Sequence, residues 1–233
     1  MVQKGLQIDY FTDVLCIWAY GAQIRIDKLT SHFATQVTVR YRFISLFGSV
    51  EERIGRGWAE RGGFEGFHRH SRAVAEQWDH VRVHERLWLQ NRPPSSMLPH
   101  LFLKAVQCLE ADRSHRSPAA GGEHSVFEEA VWRIRLAFFR DGENICNPSL
   151  YRRLAEELDF DYEAARALMD NGEACAALHQ DELRRQAFQV PGSPTLVFND
   201  GRQRLYGNVG YRIIEANVRE LLRNPLHGEA SWC

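Results

Sequence analysis

What the sequence lacks narrows it first. Its 233 residues carry five cysteines (Cys16, Cys108, Cys146, Cys175 and Cys233), and no two are separated by only two residues. A zinc site would show close pairs, and a secreted disulfide framework would be denser and even-numbered, so free thiols are expected. Charge of one sign is also missing: 29 Lys and Arg against 30 Asp and Glu leave a formal net charge of -1. Without a basic surplus to neutralise phosphates, nucleic acid is not an expected partner. No apolar run approaches the ~18 residues that suggest a membrane span. Asp9 and Asp13 interrupt the apolar stretch near the start, which therefore does not read as a secretory signal. The expectation is a cytoplasmic protein with no membrane partner.

What is present is periodic. Leu6 to Thr12 mixes apolar and β-favouring residues and reads as a buried strand, and Val37, Val39, Tyr41 and Phe43 alternate as a second. Between them Ile17, Tyr20, Ile24 and Leu29 recur at helical spacing, and a crossover helix of that length implies parallel strands. Near the other end Thr195–Phe198 and Arg202–Tyr206 flank Asn199-Asp200-Gly201, the pattern of a hairpin. A helix follows from Tyr211 to Leu222. The middle is helical: Ser96–Leu109, Phe127–Phe139, Pro148–Leu158, Tyr162–Met169 and Glu173–Phe188. Ser49–Gly66 is rich in glycine and charge and yields no assignment. Ser117-Pro118-Ala119-Ala120-Gly121-Gly122 reads as a flexible loop. A β-α-β unit and a β-β-α unit thus bracket an all-helical insert, the layout of an α/β thioredoxin-like fold interrupted between its halves. The expected division is residues 1–48 and 189–226 for the thioredoxin-like part and 49–188 for the insertion.

Two segments carry chemistry. In Asp13-Val14-Leu15-Cys16-Ile17-Trp18-Ala19-Tyr20 a strand ends and a helix begins. Unpaired N–H groups and the positive end of the helix dipole favour a thiolate at Cys16, and the thiolate is the nucleophile. Trp18 would shield the sulfur and offer a ring face to a substrate. The alternative is a small buried residue at a strand end, since free cysteine is among the most buried types. The second segment is Val190-Pro191-Gly192-Ser193-Pro194-Thr195-Leu196. In a thioredoxin fold the proline here is cis and its loop faces the reactive cysteine, with residue 193 offering backbone to an extended substrate. An ordinary loop proline before a strand is the plain alternative.

The stretch Phe11–Gly21 resembles the active-site region of cytoplasmic DsbA-like oxidoreductases, which typically have Cys-Pro-Trp-Cys-Tyr there. The similarity extends to Arg92-Pro93-Pro94-Ser95-Ser96, to Phe138–Ile145 and to Gly192-Ser193-Pro194-Thr195. A related branch comprises kappa-class glutathione transferases and 2-hydroxychromene-2-carboxylate isomerases, usually with a serine where Cys16 stands. The resemblance implies Cys16 as nucleophile and Trp18, Tyr20, Ser193 and Pro194 around it. Ala19 stands where the second cysteine belongs, and Ile17 replaces the proline, so a two-cysteine oxidase cycle is excluded. Tyr206-Gly207-Asn208-Val209-Gly210 loosely echoes the kappa-class segment that holds glutathione, which makes Asn208 a candidate contact, although the aspartate of that segment is absent.

Three activities fit one thiol. Cys16 attacks a disulfide, and glutathione or a protein thiol resolves the mixed disulfide. Alternatively the site activates glutathione sulfur for an isomerase or transferase reaction. The third is a scaffold that binds a peptide or small molecule without turnover. No tightly bound cofactor is expected, with glutathione as a co-substrate. Kappa-class relatives are often dimers, so a homodimer is one expectation. Cys146 and Cys175 lie in the insertion, where either could resolve Cys16 given Cα atoms within ~7 Å; the plainer expectation makes them helix-packing residues, Cys175 on a small-residue face with Ala174, Ala176 and Ala177. No metal is expected: His68, His70, His80 and His84 are close in sequence but lack a completing cysteine or carboxylate cluster.

Overall fold

A computed structural model describes residues 5–112 and 124–223. Cys233, the Ser117–Gly122 stretch and the last residues of the 189–226 segment lie outside the described residues. Strand β1 (Leu6–Thr12) is followed by helix α1 (Ile17–Phe33) and strand β2 (Val37–Phe43). After β2 come α2 (Gly63–Ala75), α3 (Met97–Asp112), α4 (Val126–Phe139), α5 (Pro148–Glu157), α6 (Tyr162–Asp170) and α7 (Glu173–Ala187). The chain closes with β3 (Thr195–Phe198), β4 (Gln203–Tyr206) and α8 (Tyr211–Arg223). The four strands form one sheet in the order β2-β1-β3-β4. β1 and β2 are parallel, with Ile8 opposite Val39. β3 is antiparallel to β1, with Tyr10 opposite Leu196, and β4 is antiparallel to β3. This is the thioredoxin-like architecture, with six α-helices between β2 and β3 among the described residues.

Alternation along β1 gives the sheet two different faces. Leu6, Ile8 and Tyr10 join the principal core, where Tyr10 meets Tyr41 edge-on with ring centroids 5.2 Å apart. Phe11 turns the other way, into a small cluster with Ile44, Val190 and Val197. Asp9 also serves that second face: its carboxylate accepts from Arg42 of β2 at 2.8 Å and from Arg184 of α7 at 2.6 Å. Arg42 continues to Asp181 of α7 at 3.1 Å, and Asp181, fully buried, also receives Lys104 of α3 at 2.6 Å and the Phe43 N–H at 2.8 Å. These charges pin α7 and α3 to the sheet, each partner satisfying the next.

Helix starts follow from their caps. Ser125 and Glu128 form a reciprocal capping box on α4. Asn147 caps α5 ahead of Pro148, and Asp161 caps α6. The unassigned segment holds a π-helical turn at Glu51–Arg56 and then α2, whose Gly-Phe-Glu-Gly start hid it from periodicity. Between α2 and α3 the chain runs without regular structure, and this strap lies against α1. His80 Nε2 is 2.9 Å from the Gly21 carbonyl oxygen, and the Tyr20 hydroxyl donates to Arg82 O at 3.2 Å. Trp78 presses directly on Gly21, where a Cβ would overlap its ring.

Some side-chain expectations are corrected here. Ile24 is 45% exposed, because α1 buries Ile26, Leu29 and Phe33 on its core-facing side instead. Cys175 is exposed rather than packed: α7 buries Ala174, Leu178 and Asp181, and residue 175 falls about 100° away around the helix. Cys146 lies in the turn before α5 rather than in a helix interface, its Sγ donating to Ser95 O at 3.2 Å. The four neighbouring histidines are dispersed, His68 on Leu87 O at 2.7 Å, His70 beside Trp58, His80 on Gly21 O and His84 on Gly142. Among the described residues, no helix is long and apolar enough to cross a membrane.

Candidate active site

β1 delivers Thr12 and Asp13 to the sheet edge, and the chain turns through Val14 and Leu15 into α1. Cys16 is the N-cap residue of that helix, with extended backbone angles. Its N–H closes the turn onto Asp13 O at 3.1 Å. The turn is held by the Asp13 side chain, itself fully buried. Oδ1 accepts from Leu15 N–H at 2.9 Å, while Oδ2 accepts from Phe47 N–H at 3.0 Å and from the Ser96 hydroxyl at 2.8 Å. One carboxylate thus ties the nucleophile turn to the segments after β2 and before α3.

Opposite stands the Gly192–Thr195 loop, whose Ser193–Pro194 peptide is cis. The Cys16 thiol donates to Ser193 O at 3.3 Å, and Ser193 Oγ accepts from Asp13 N–H at 3.0 Å. Cys16, Ser193 and Pro194 are therefore brought together as the sequence suggested. Pro194 O in turn accepts from Gly207 N–H at 2.9 Å, which sets Asn208 beside the same loop. There Asn208 Oδ1 accepts from Arg25 of α1. Arg25, Pro194, Leu205, Gly207 and Val209 line a cleft of about 20 Å³. Among the described residues no carboxylate pairs with Arg25, and desolvation holds its guanidinium below the usual arginine range.

The electrostatics correct one expectation. Cys16 is only 6% exposed, and burial pushes its thiol up rather than down. A hydrogen bond from Ser193 and the N–H groups of Ala19 and Trp18 pull the other way, and the charge of Asp13 adds to the upward push. The helix-start donors are present as the sequence implied; the desolvation that outweighs them was not readable, since other segments create it. The hydrogen bond from Sγ to Ser193 O is that of a thiol.

The remaining candidates have distinct surroundings. Trp18 is half-buried and meets Trp78 of the strap edge-on, with centroids 5.5 Å apart at 88°. Tyr20 is buried in packing: its ring stacks on Phe139 at 4.7 Å and Trp132 at 5.3 Å, with its hydroxyl engaged by Arg82. Ala19 is fully buried, so a methyl group fills the position of the missing second cysteine. Sequence reasoning missed Arg25 and His100. His100 of α3 is fully buried and its Nε2 accepts from Val14 N–H at 3.2 Å. A single histidine on an apolar helix face gives no pattern by which to find it.

A family model, the DSBA-like thioredoxin domain, matches residues 7–218. No curated protein matches the chain in sequence. Among solved structures, a 2-hydroxychromene-2-carboxylate isomerase is similar at 19% identity and a TM-score of 0.64, covering 94% of this chain and 97% of that one. The cytosolic disulfide reductase DsbM from Pseudomonas aeruginosa is similar at 19% identity and a TM-score of 0.62, covering 91% and 98%. That protein has also been solved with glutathione. Reduced DsbA1 from Neisseria meningitidis follows at 14% identity and a TM-score of 0.53, covering 96% and 88%. At such identities the likeness establishes the fold.

Proposed function

Given that this chain belongs to the DsbA-like thioredoxin domain family, we propose that it is a single-cysteine thiol oxidoreductase working through mixed disulfides with glutathione. The observation that carries this reading is the Cys16 thiol at the start of α1, 3.3 Å from Ser193 O in the cis-proline loop. A substrate strand laid along that loop would bring its own sulfur to Cys16. The substrate displaces the bond from Cys16 to Ser193 O, and the thiol then gives its proton to solvent, the resulting thiolate accepting from the N–H groups of Ala19 and Trp18. The thiolate attacks a glutathionylated substrate at the glutathione sulfur. The old S–S bond breaks, a Cys16–glutathione bond forms, and the substrate leaves as thiolate. A free glutathione attacks the glutathione sulfur of the mixed disulfide, regenerating Cys16 and releasing glutathione disulfide, so each substrate disulfide is reduced at the expense of one free glutathione. Arg25 and Asn208, beside Pro194, suit a carboxylate of the tripeptide.

A second reading is favoured by the burial of Cys16, which pushes its thiol up. As a hydrogen-bond donor it would stabilise the thiolate of bound glutathione, as an isomerase or transferase requires.

Cys16→Ser separates the two. With a glutathionylated peptide as substrate, the wild-type protein is expected to release free peptide, passing through a Cys16–glutathione adduct seen by peptide mass spectrometry. The serine variant is expected to show no adduct and no release. If it retains a glutathione-dependent isomerisation instead, the hydroxyl has replaced a donor and the second reading stands. Absence of any adduct on wild-type Cys16 overturns the redox reading.

A further inference from the structure

Behind the nucleophile turn sits a histidine that the thiol chemistry leaves unused. The His100 ring lies against Phe43, with centroids 4.9 Å apart at 21°. Its Nε2 accepts the Val14 N–H at 3.2 Å and lies 3.6 Å from Asp13 Oδ1, while Nδ1 is buried with no hydrogen-bond partner. An acceptor Nε2 carries no proton, so the ring is neutral with its hydrogen on Nδ1. Val14 stands two residues before Cys16, and its N–H is donated to this ring. The bond therefore fixes the turn from behind, as Asp13 fixes it from beside.

We propose that neutral His100 is a positioning residue of the Cys16 site, setting the turn through Val14, and that protonation of the ring releases that hold. The inference rests on the thiol-exchange reading above. Protonation would turn Nε2 into a donor, which cannot accept from Val14 N–H and is drawn to Asp13 Oδ1 instead. Asp13 Oδ1 would then be shared between the ring and the Leu15 N–H, Oδ2 being held by Phe47 and Ser96. The groups facing the ring from each packed element decide when this happens. Burial holds the imidazole below its usual range, Asp13 before α1 and Asp181 on α7 oppose that, and Arg135 on α4 and Lys104 on α3 reinforce it. A histidine with a depressed folded-state pKa contributes stability above its unfolded value of about 6.5, lost as pH falls through the folded value. The released state is therefore an acid state.

The test compares two variants. Gln at position 100 places an amide oxygen where Nε2 lies and does not titrate; Phe fills the volume but accepts nothing. Second-order rates of Cys16 with glutathione disulfide are followed from about pH 8 downward to the onset of acid unfolding, with circular dichroism confirming the fold at each point. His100→Phe is expected to slow exchange at least about tenfold at neutral pH, through loss of positioning, while His100→Gln stays near wild type. The wild-type to His100→Gln ratio is expected to fall as the medium becomes acid. A His100→Phe rate equal to wild type, or a ratio that stays flat, overturns the proposal; where His100→Phe fails to fold, the ratio alone decides. Failure of the wild-type protein to exchange at all would instead overturn the thiol-exchange reading, so the two are separable.

Discussion

Asp13 shows how much one buried side chain organises. It satisfies two backbone donors and one hydroxyl contributed by three separate stretches of chain. Asp13→Ala leaves all three without partners in a dry interior, and each orphaned buried donor costs about 1–3 kcal/mol. The variant is expected to lose at least about 3 kcal/mol in urea denaturation. Asp13→Asn, which keeps an acceptor, is expected to lose clearly less. Equal losses would mean that volume rather than hydrogen bonding holds the turn. Cys16 was legible in the sequence because a lone cysteine between a strand and a helix stands out. Its protonation was not, because desolvation is imposed by residues distant in the chain, including the Gly192–Thr195 loop.

Elements meet here through a few close contacts, and two allow sharp tests. Gly21 gives Trp78 the space to lie on α1. Gly21→Ala is expected to destabilise by about 1–3 kcal/mol through overpacking, despite the better helix propensity of alanine. A rise in Tm for Gly21→Ala would show that the strap yields without cost. Asp181 is the hinge of the other contact set. Removing it by Asp181→Ala strands the Lys104 ammonium, only 3% exposed, and is expected to cost about 3–5 kcal/mol. The double variant Asp181→Leu with Lys104→Met removes both charges and is expected to recover most of that loss, read from denaturant midpoints. The helices from α3 onward were readable because each repeats its apolar positions, and α4, α5 and α6 begin at recognisable caps. α2 was not, since glycine and charge at its start mask an otherwise amphipathic helix. The strap between α2 and α3 alternates only over His80–His84, which reads as extended yet forms no strand, and its position is set by Trp78, His80 and Arg82 meeting α1.

At the scale of the whole molecule, the sheet and the intervening helices share one principal core. Tyr10, Tyr41 and Phe43 belong to the same cluster as Phe102, Phe127, Ile134 and Phe138. Sequence pattern separates two segments of different composition, and it cannot show whether their apolar faces meet. Because they do, tryptophan fluorescence, which samples both regions, and peptide circular dichroism are expected to report a single coincident urea transition. Two resolved transitions would show that the helices form a separate folding unit. Finally, the methyl group of Ala19 has a consequence for how such a protein stores oxidation. A protein with two adjacent thiols carries a disulfide away from its source and spends it later. With a methyl in that place, Cys16 has no partner in its own motif, so on the thiol-exchange reading a disulfide it accepts stays bound to the molecule that brought it. The direction of that exchange would then be set by the surrounding thiol pool, and the protein would serve as a conduit without memory.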